Sequence, residues 1–258
     1  MPSVAELSAP YGKFMLGPRR GPDVCELCFN LNPGYQRCYA CANTGEEPAA
    51  MVPISYSVAG EQLHHALLGY KRLKGNVARR LERELGAVLW RFLDLHEGCV
   101  ARAAGVDRFE VVATVPSGDR DRDLDHPMRG VVGELVGPTH DRYQLLLMRS
   151  QLEAPARIVD AAKFKPLRRL DGEPVLLIDD TWTTGASARS AAAALRSAGA
   201  GPVAAVVIGR HINRDWDEND RRLREIERTP FDWEDCALCG DAQPRRTERW
   251  RTASDRSK

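Results

Sequence analysis

A chain of 258 residues is long enough to bury a core without help from a partner, and 37 Lys and Arg set against 36 Asp and Glu leave no global charge that argues for nucleic acid or an acidic surface. No window nears the roughly 18 consecutive apolar residues of a membrane span, and Pro, Glu, Lys and Arg interrupt the stretch from Met1 to Arg20 where an export signal needs an apolar run. Six of the seven cysteines fall into three Cys-x-x-Cys pairs, a chelating spacing suited to a reducing compartment, so the expected protein is soluble, unexported and cytoplasmic.

Taken in chain order, residues 1–22 are rich in Gly, Pro and Arg and read as a loosely ordered arm. Cys25-x-x-Cys28, nine residues, and Cys38-x-x-Cys41 follow, which puts four soft thiolates within reach of one tetrahedral zinc, with Pro33 and Gly34 allowing the turn between the two pairs. A catalytic zinc keeps an open position and four thiolates leave none, so the metal is expected to be structural. The arm and the zinc-ribbon-like segment together make a first unit, residues 1–50.

A second unit, residues 51–212, carries the periodic segments. Leu63, Leu67 and Leu68, then Leu81, Leu85, Val88, Leu89 and Phe92, recur at helical spacing on either side of a break near Lys74-Gly75-Asn76, which predicts two amphipathic helices. Phe109 to Val115 is a β-rich run that enters a turn at Pro116-Ser117-Gly118; a helix from Pro127 to Val136 and a strand from Tyr143 to Met148 come next. Pro174 to Ile178 is a short apolar strand, Ala186 to Ala198 an alanine-rich helix stopped by Gly199, and Val203 to Ile208 a further strand. Strands alternating with helices predict an α/β fold, a mostly parallel sheet covered on both faces.

The chemistry concentrates in Val175-Leu176-Leu177-Ile178-Asp179-Asp180-Thr181-Trp182-Thr183-Thr184-Gly185-Ala186-Ser187. Ligands of open α/β sheets collect at the carboxyl ends of strands, and here a buried strand delivers two adjacent carboxylates that can accept hydrogen bonds from vicinal hydroxyls. Three threonine hydroxyls, a glycine that lets the backbone approach closely, and the free amides of a helix start then form an anion site. Both carboxylates are expected to face solvent at the strand end. A diol site followed by a phosphate cradle matches the two ends of a ribose 5-phosphate.

That segment resembles the signature of the type I phosphoribosyltransferases, which bind phosphoribosyl pyrophosphate (PRPP). The resemblance implies a phosphoribosyltransferase-type sheet flanked by helices with a small N-terminal zinc-binding segment. It also implies that Asp179 and Asp180 contact the ribose hydroxyls, that Thr181, Thr183, Thr184, Gly185, Ala186 and Ser187 hold the 5-phosphate, and that magnesium accompanies the pyrophosphate.

From about Cys25 to Arg210 the chain is similar to a narrower group, the ComF-like predicted amidophosphoribosyltransferases. Leu63 to Leu68 with Lys71 and Gly75, Val111 to Ser117, and Arg157 to Phe164 carry that likeness. The group follows its Val-Pro with a His-Pro, basic and Gly-Phe-Asn-Gln run, where this chain has Ser117-Gly118-Asp119-Arg120-Asp121-Arg122. Pro116, Ser117 and Gly118 take the place of the pyrophosphate loop, and Arg120 and Lys163 are the chosen catalytic cations among Arg120, Arg122, Arg157 and Lys163.

The third unit, residues 213–258, begins with a charged segment from Asp215 to Arg228 that reads as an exposed helix. Cys236-x-x-Cys239 is half of a metal site, completed either by residues such as His211 or by one of the N-terminal pairs, while Cys99 reads as a small buried hydrophobe. The expected activity is transfer of a phosphoribosyl group from PRPP to an unread nitrogen acceptor, with Mg2+ at the substrate, structural Zn2+, no membrane, and a homodimer as one possible assembly. The alternatives are a PRPP or nucleotide-binding regulator without catalysis, and a DNA-uptake or nucleic-acid-associated zinc protein using Arg245, Arg246, Arg249, Arg251 and Arg256.

Overall fold

The computed structural model describes residues 2–45, 48–117, 123, 125–152, 155, 157–216 and 218–239. Four parallel strands form the central sheet: β1 (Ala50–Val58), β2 (Val111–Thr114), β5 (Val175–Trp182) and β6 (Val203–Ile212), in the spatial order β1-β6-β5-β2. β3 (Leu147–Arg149) and β4 (Phe164–Pro166) make a separate antiparallel pair. Val175 to Ile178 and Val203 to Ile208 are buried throughout, which is what a strand covered on both faces requires of its sequence.

The helices α3 (Gln62–Arg72) and α4 (Gly75–Ala103) connect β1 to β2, whereas α7 (Ala186–Ser197) connects β5 back to β6. These connections run in opposite senses across the sheet, so right-handed crossovers put α3 and α4 on one face and α7 on the other. Leu85, Val88, Leu89, Phe92, Leu93, His96 and Val100 form the buried stripe of α4. Gly209 of β6 lets α3 sit close on the sheet, since a Cβ there would lie 2.7 Å from Leu67 Cδ1.

The remaining helices are short. α1 (Val4–Ser8) and α2 (Tyr39–Ala42) belong to the N-terminal segment, α5 (Pro127–Gly130) and α6 (Gly137–His140) to the β2–β3 connection, and α8 (Asn219–Ile226) follows β6. The expected helix from Pro127 is present as α5 and a π-helical turn, Val131–Leu135.

Several expectations are corrected. The N-terminal arm is structured: Ser3 and Glu6 form a reciprocal capping box on α1, α1 packs against α4, and Leu16 pairs with Tyr56 at the outer edge of β1. The segment from Tyr143 contributes one parallel bridge, to Val112, before β3 begins at Leu147. The charged segment after β6 is not wholly exposed, because Leu223 is buried and Arg222 pairs with Asp23 at 2.7 Å. One continuous apolar core runs from Cys25 and Phe29 through the sheet to Cys236 and Leu238. Among the described residues no helix is long and apolar enough to cross a membrane.

Candidate functional site

The sheet's register carries β5 past Ile178, with Asp179 opposite Val207, Thr181 opposite Gly209 and Trp182 opposite Arg210. Asp179, Asp180 and Thr181 therefore sit at the carboxyl end of a rigid strand. Together with Thr183, Thr184, Gly185, Ala186 and Ser187 they line a cavity of about 860 Å³, whose far wall includes Pro116, Ser117 and His126. The bend is set by Gly185, at φ +80°, where a Cβ would fall 2.1 Å from Cζ2 of Trp182. Only glycine fits that combination of backbone and neighbour. α7 starts immediately beyond, so its first-turn amides, which have no acceptors within the helix, face the same bend.

The two carboxylates differ. Asp179 is half-buried and its Oδ1 accepts from the amide of Asp180 at 2.8 Å. Burial, then the adjacent charge of Asp180, pushes its pKa up to about 8. Asp180 is only 2% exposed, which corrects the expectation that both acids face solvent. Its Oδ2 accepts from the Tyr70 hydroxyl and lies 2.5 Å from Lys71 Nζ. Burial and the charge of Asp180 hold the Tyr70 phenol well above its ordinary range, so Tyr70 remains a donor. His126, edge-on to Tyr70 with ring centroids 6.4 Å apart, is pulled below the usual imidazole range chiefly by burial.

Pro116 and Ser117 reach the cavity because Val115 continues the ladder of β2, donating to Ile178 O at 3.0 Å. The Ser117 amide is directed to Asp123 Oδ1 at 2.9 Å, and buried Asp123 also pairs with Arg129 at 2.9 Å and accepts from the Arg149 amide at 2.8 Å. Asp123 thereby anchors the turn after β2. Gly118, Arg120 and Arg122 lie outside the described residues.

Lys163 does not join the lining. It is 1% exposed and its Nζ donates to the carbonyls of Pro155, at 2.7 Å, and Ile158. Exposed Arg157 does line the cavity, as do Lys71 and Arg72 from the C-terminal end of α3 and Lys74 just before α4. Tyr70 and Lys71 join the site as functional candidates beyond those expected from sequence. Their signal was present, in an aromatic and a lysine on the last turn of a helix that ends at the mouth of a parallel sheet.

Two further groups have the composition of metal centres. The Sγ atoms of Cys25, Cys28, Cys38 and Cys41 all lie within 4.8 Å of one another, with Cys28 and Cys38 3.6 Å apart. A tetrahedral zinc with bonds of about 2.3 Å to sulfur needs edges of about 3.8 Å, so the set fits. The second group is His96, Cys99, Cys236 and Cys239. His96 Nε2 is 2.7 Å from Trp233 O, which leaves Nδ1, 3.5 Å from Cys239 Sγ, free to ligate. Cys99 Sγ and Cys236 Sγ lie 3.9 and 3.4 Å from Cys239 Sγ. Amides of Cys236 and Leu238 point at the sulfurs of this turn, at 3.2 and 3.4 Å.

This second group overturns two sequence expectations. The partners of Cys236 and Cys239 are His96 and Cys99, one turn apart on α4, rather than His211 or an N-terminal pair. Cys99 is a half-buried member of that group rather than an isolated hydrophobe. His211 lies instead on the cavity wall beside His64, with ring centroids 5.3 Å apart.

No family model matches the chain, and no curated protein matches it significantly.

Proposed function

We propose that this protein binds PRPP with magnesium in the cavity at the ends of β5 and β2 and transfers the phosphoribosyl group to a nitrogen acceptor, releasing pyrophosphate. The observation that carries the reading is the convergence on one cavity of two adjacent carboxylates, a hydroxyl-rich bend at the start of α7, and the Pro116-Ser117 turn.

In this reading Thr183, Thr184, Ser187 and the first-turn amides of α7 hold the 5-phosphate, and the carboxylates accept from the ribose hydroxyls. The hard oxygens of Asp179 and Asp180 suit magnesium, which supplies positive charge to the pyrophosphate when bound. Lys71 and Arg157 add positive charge near the leaving group. The acceptor nitrogen's lone pair forms the bond to the anomeric carbon as the bond to the pyrophosphate oxygen breaks, the electron pair leaves with pyrophosphate, and the acceptor loses its proton to solvent or to a base. Orientation and charge, rather than a protein nucleophile, supply the acceleration.

Calorimetry with PRPP and magnesium tests the binding. A dissociation constant in the micromolar range that is lost in Asp179→Asn/Asp180→Asn supports the reading, and equal binding by the double variant removes it. A second reading, a PRPP-responsive regulator without turnover, is favoured by the engagement of Asp180 with Lys71 and Tyr70. Pyrophosphate release in the presence of nucleobases or ammonia separates transferase from regulator.

A further inference from the structure

Two arginines of the sheet domain are buried where a cation is costly. Arg189 of α7 is 1% exposed and Arg210 of β6 is 4% exposed. Guanidinium stays charged in proteins, and a buried charge without a counter-charge is strongly destabilising. Among the described residues neither arginine has a carboxylate within ion-pair distance. Both turn instead to the N-terminal cysteine cluster, one to each Cys-x-x-Cys pair.

Arg189 Nη2 donates to Cys41 Sγ at 2.8 Å and Nη1 to Ala40 O at 3.3 Å. Arg210 Nε donates to Cys28 O at 2.9 Å, and its Nη2 lies 3.8 Å from Cys28 Sγ while bonding Asn30 Oδ1 at 2.6 Å. Four thiolates around a divalent zinc carry two negative charges in excess, and two guanidiniums cancel them.

The same two side chains grip the bend of the candidate site. Arg189 stacks over the Trp182 ring, with Cζ 5.6 Å from its centroid, and Arg210 Nη1 donates to Trp182 O at 3.0 Å. Trp182 lies between Asp180 and Thr183, and its ring fills the space that a side chain at position 185 would take. Its Nε1 is buried without a hydrogen-bond partner among the described residues, so packing and these arginines hold it in place.

We infer that Arg189 and Arg210 are positioning residues that couple zinc in the Cys25, Cys28, Cys38 and Cys41 cluster to the conformation of the Thr181–Ser187 bend, so that the bend holds its anion only in the zinc-loaded protein. Losing the metal strips the arginines of their counter-charge and lets them leave, which frees Trp182 and the bend it supports. The consequence for the anion rests on the proposed PRPP reading; the coupling of zinc to the bend does not.

The test uses full-length protein carrying Cys239→Ser, which removes the second group and leaves one metal to follow. In that background Arg189→Met and Arg210→Met are expected to weaken zinc retention against a chromogenic chelator about 10- to 100-fold, the range seen when partners of metal ligands are removed. Arg189→Lys is expected to recover part of the loss. Stripping zinc from the Cys239→Ser protein is expected to accelerate amide exchange across residues 181–188 at least tenfold, while the amides of Val203–Ile208 change less. Unchanged zinc retention in both Met variants, or unchanged exchange of the bend after zinc removal, overturns the inference. If a Met variant does not fold, the exchange comparison with and without zinc still decides it. Calorimetry with PRPP and magnesium then reads the anion. Zinc-dependent exchange without PRPP binding to the intact protein rejects the PRPP reading alone.

Discussion

Asp179 and Asp180 are adjacent in sequence yet lie in different surroundings, one half-buried and the other buried against Lys71 and Tyr70. A carboxyl near 3.8 in the unfolded chain that rises to about 8 on folding binds its proton more tightly in the native state. Its contribution to stability is therefore fully present below about pH 4 and is lost as pH climbs through 8. Urea midpoints measured from pH 4 to 8 should fall for the native sequence relative to Asp179→Asn, and parallel curves would contradict the raised pKa. Asp180 is the counter-charge of Lys71 and the acceptor of Tyr70. Asp180→Ala leaves both unpaired and should cost about 1–3 kcal/mol of unfolding free energy at pH 7. Denaturation of that variant within error of the native protein would show the contact to be unimportant. At this scale the sequence was only partly readable. The acids stood out because two adjacent carboxylates ending an apolar strand need a reason, but nothing local indicates that a lysine 109 positions upstream will meet one of them. Lys163 misled for the converse reason, since a lysine beside a matching motif says nothing about which way its ammonium turns.

Among elements, the β5–bend–α7 unit was the most legible, because an apolar strand, a hydroxyl-rich bend and a glycine before an alanine-rich helix each point to the same local geometry. Within that unit the Trp182 ring occupies the space beside Gly185. Gly185→Ala adds a methyl group that backbone and ring both reject, at a cost of about 1–3 kcal/mol. It should lower the melting temperature and abolish the PRPP binding proposed for the bend, whereas unaltered binding would mean that the bend is plastic. β1 is poorly legible in sequence because Pro53, Ser55 and Ser57 break its apolar run. The fold tolerates Pro53 because β1 lies at the edge of the sheet, where a missing amide is least harmful. The capping box on α1 was visible as Ser3-Val-Ala-Glu6, but the glycines and prolines beyond it obscured the signal.

For the whole molecule, the two cysteine groups tie both ends of the described chain to its middle. The first group meets α7 and β6 through Arg189 and Arg210, and the second joins the segment around Cys236 to α4. Metal analysis should return two zinc ions per chain, and Cys28→Ser or Cys239→Ser should each return one. Chelation should lower the melting temperature, because a metal that binds only the folded chain stabilises it. A protein that purifies without metal and melts identically in chelator would refute both sites. The second site was half visible in sequence. His96-x-x-Cys99 has the spacing of two ligands on one helical face, but it sits within an apolar stripe where a cysteine passes for packing.

The pairing of Lys71 with Asp180 has a consequence for affinity. A ligand that needs this carboxylate must displace an ammonium already in place, so part of its binding free energy is spent in breaking that pair. Lys71→Met should therefore tighten the binding of magnesium alone, read by calorimetry. Unchanged or weaker magnesium binding by that variant would mean that the ammonium does not compete for the carboxylate.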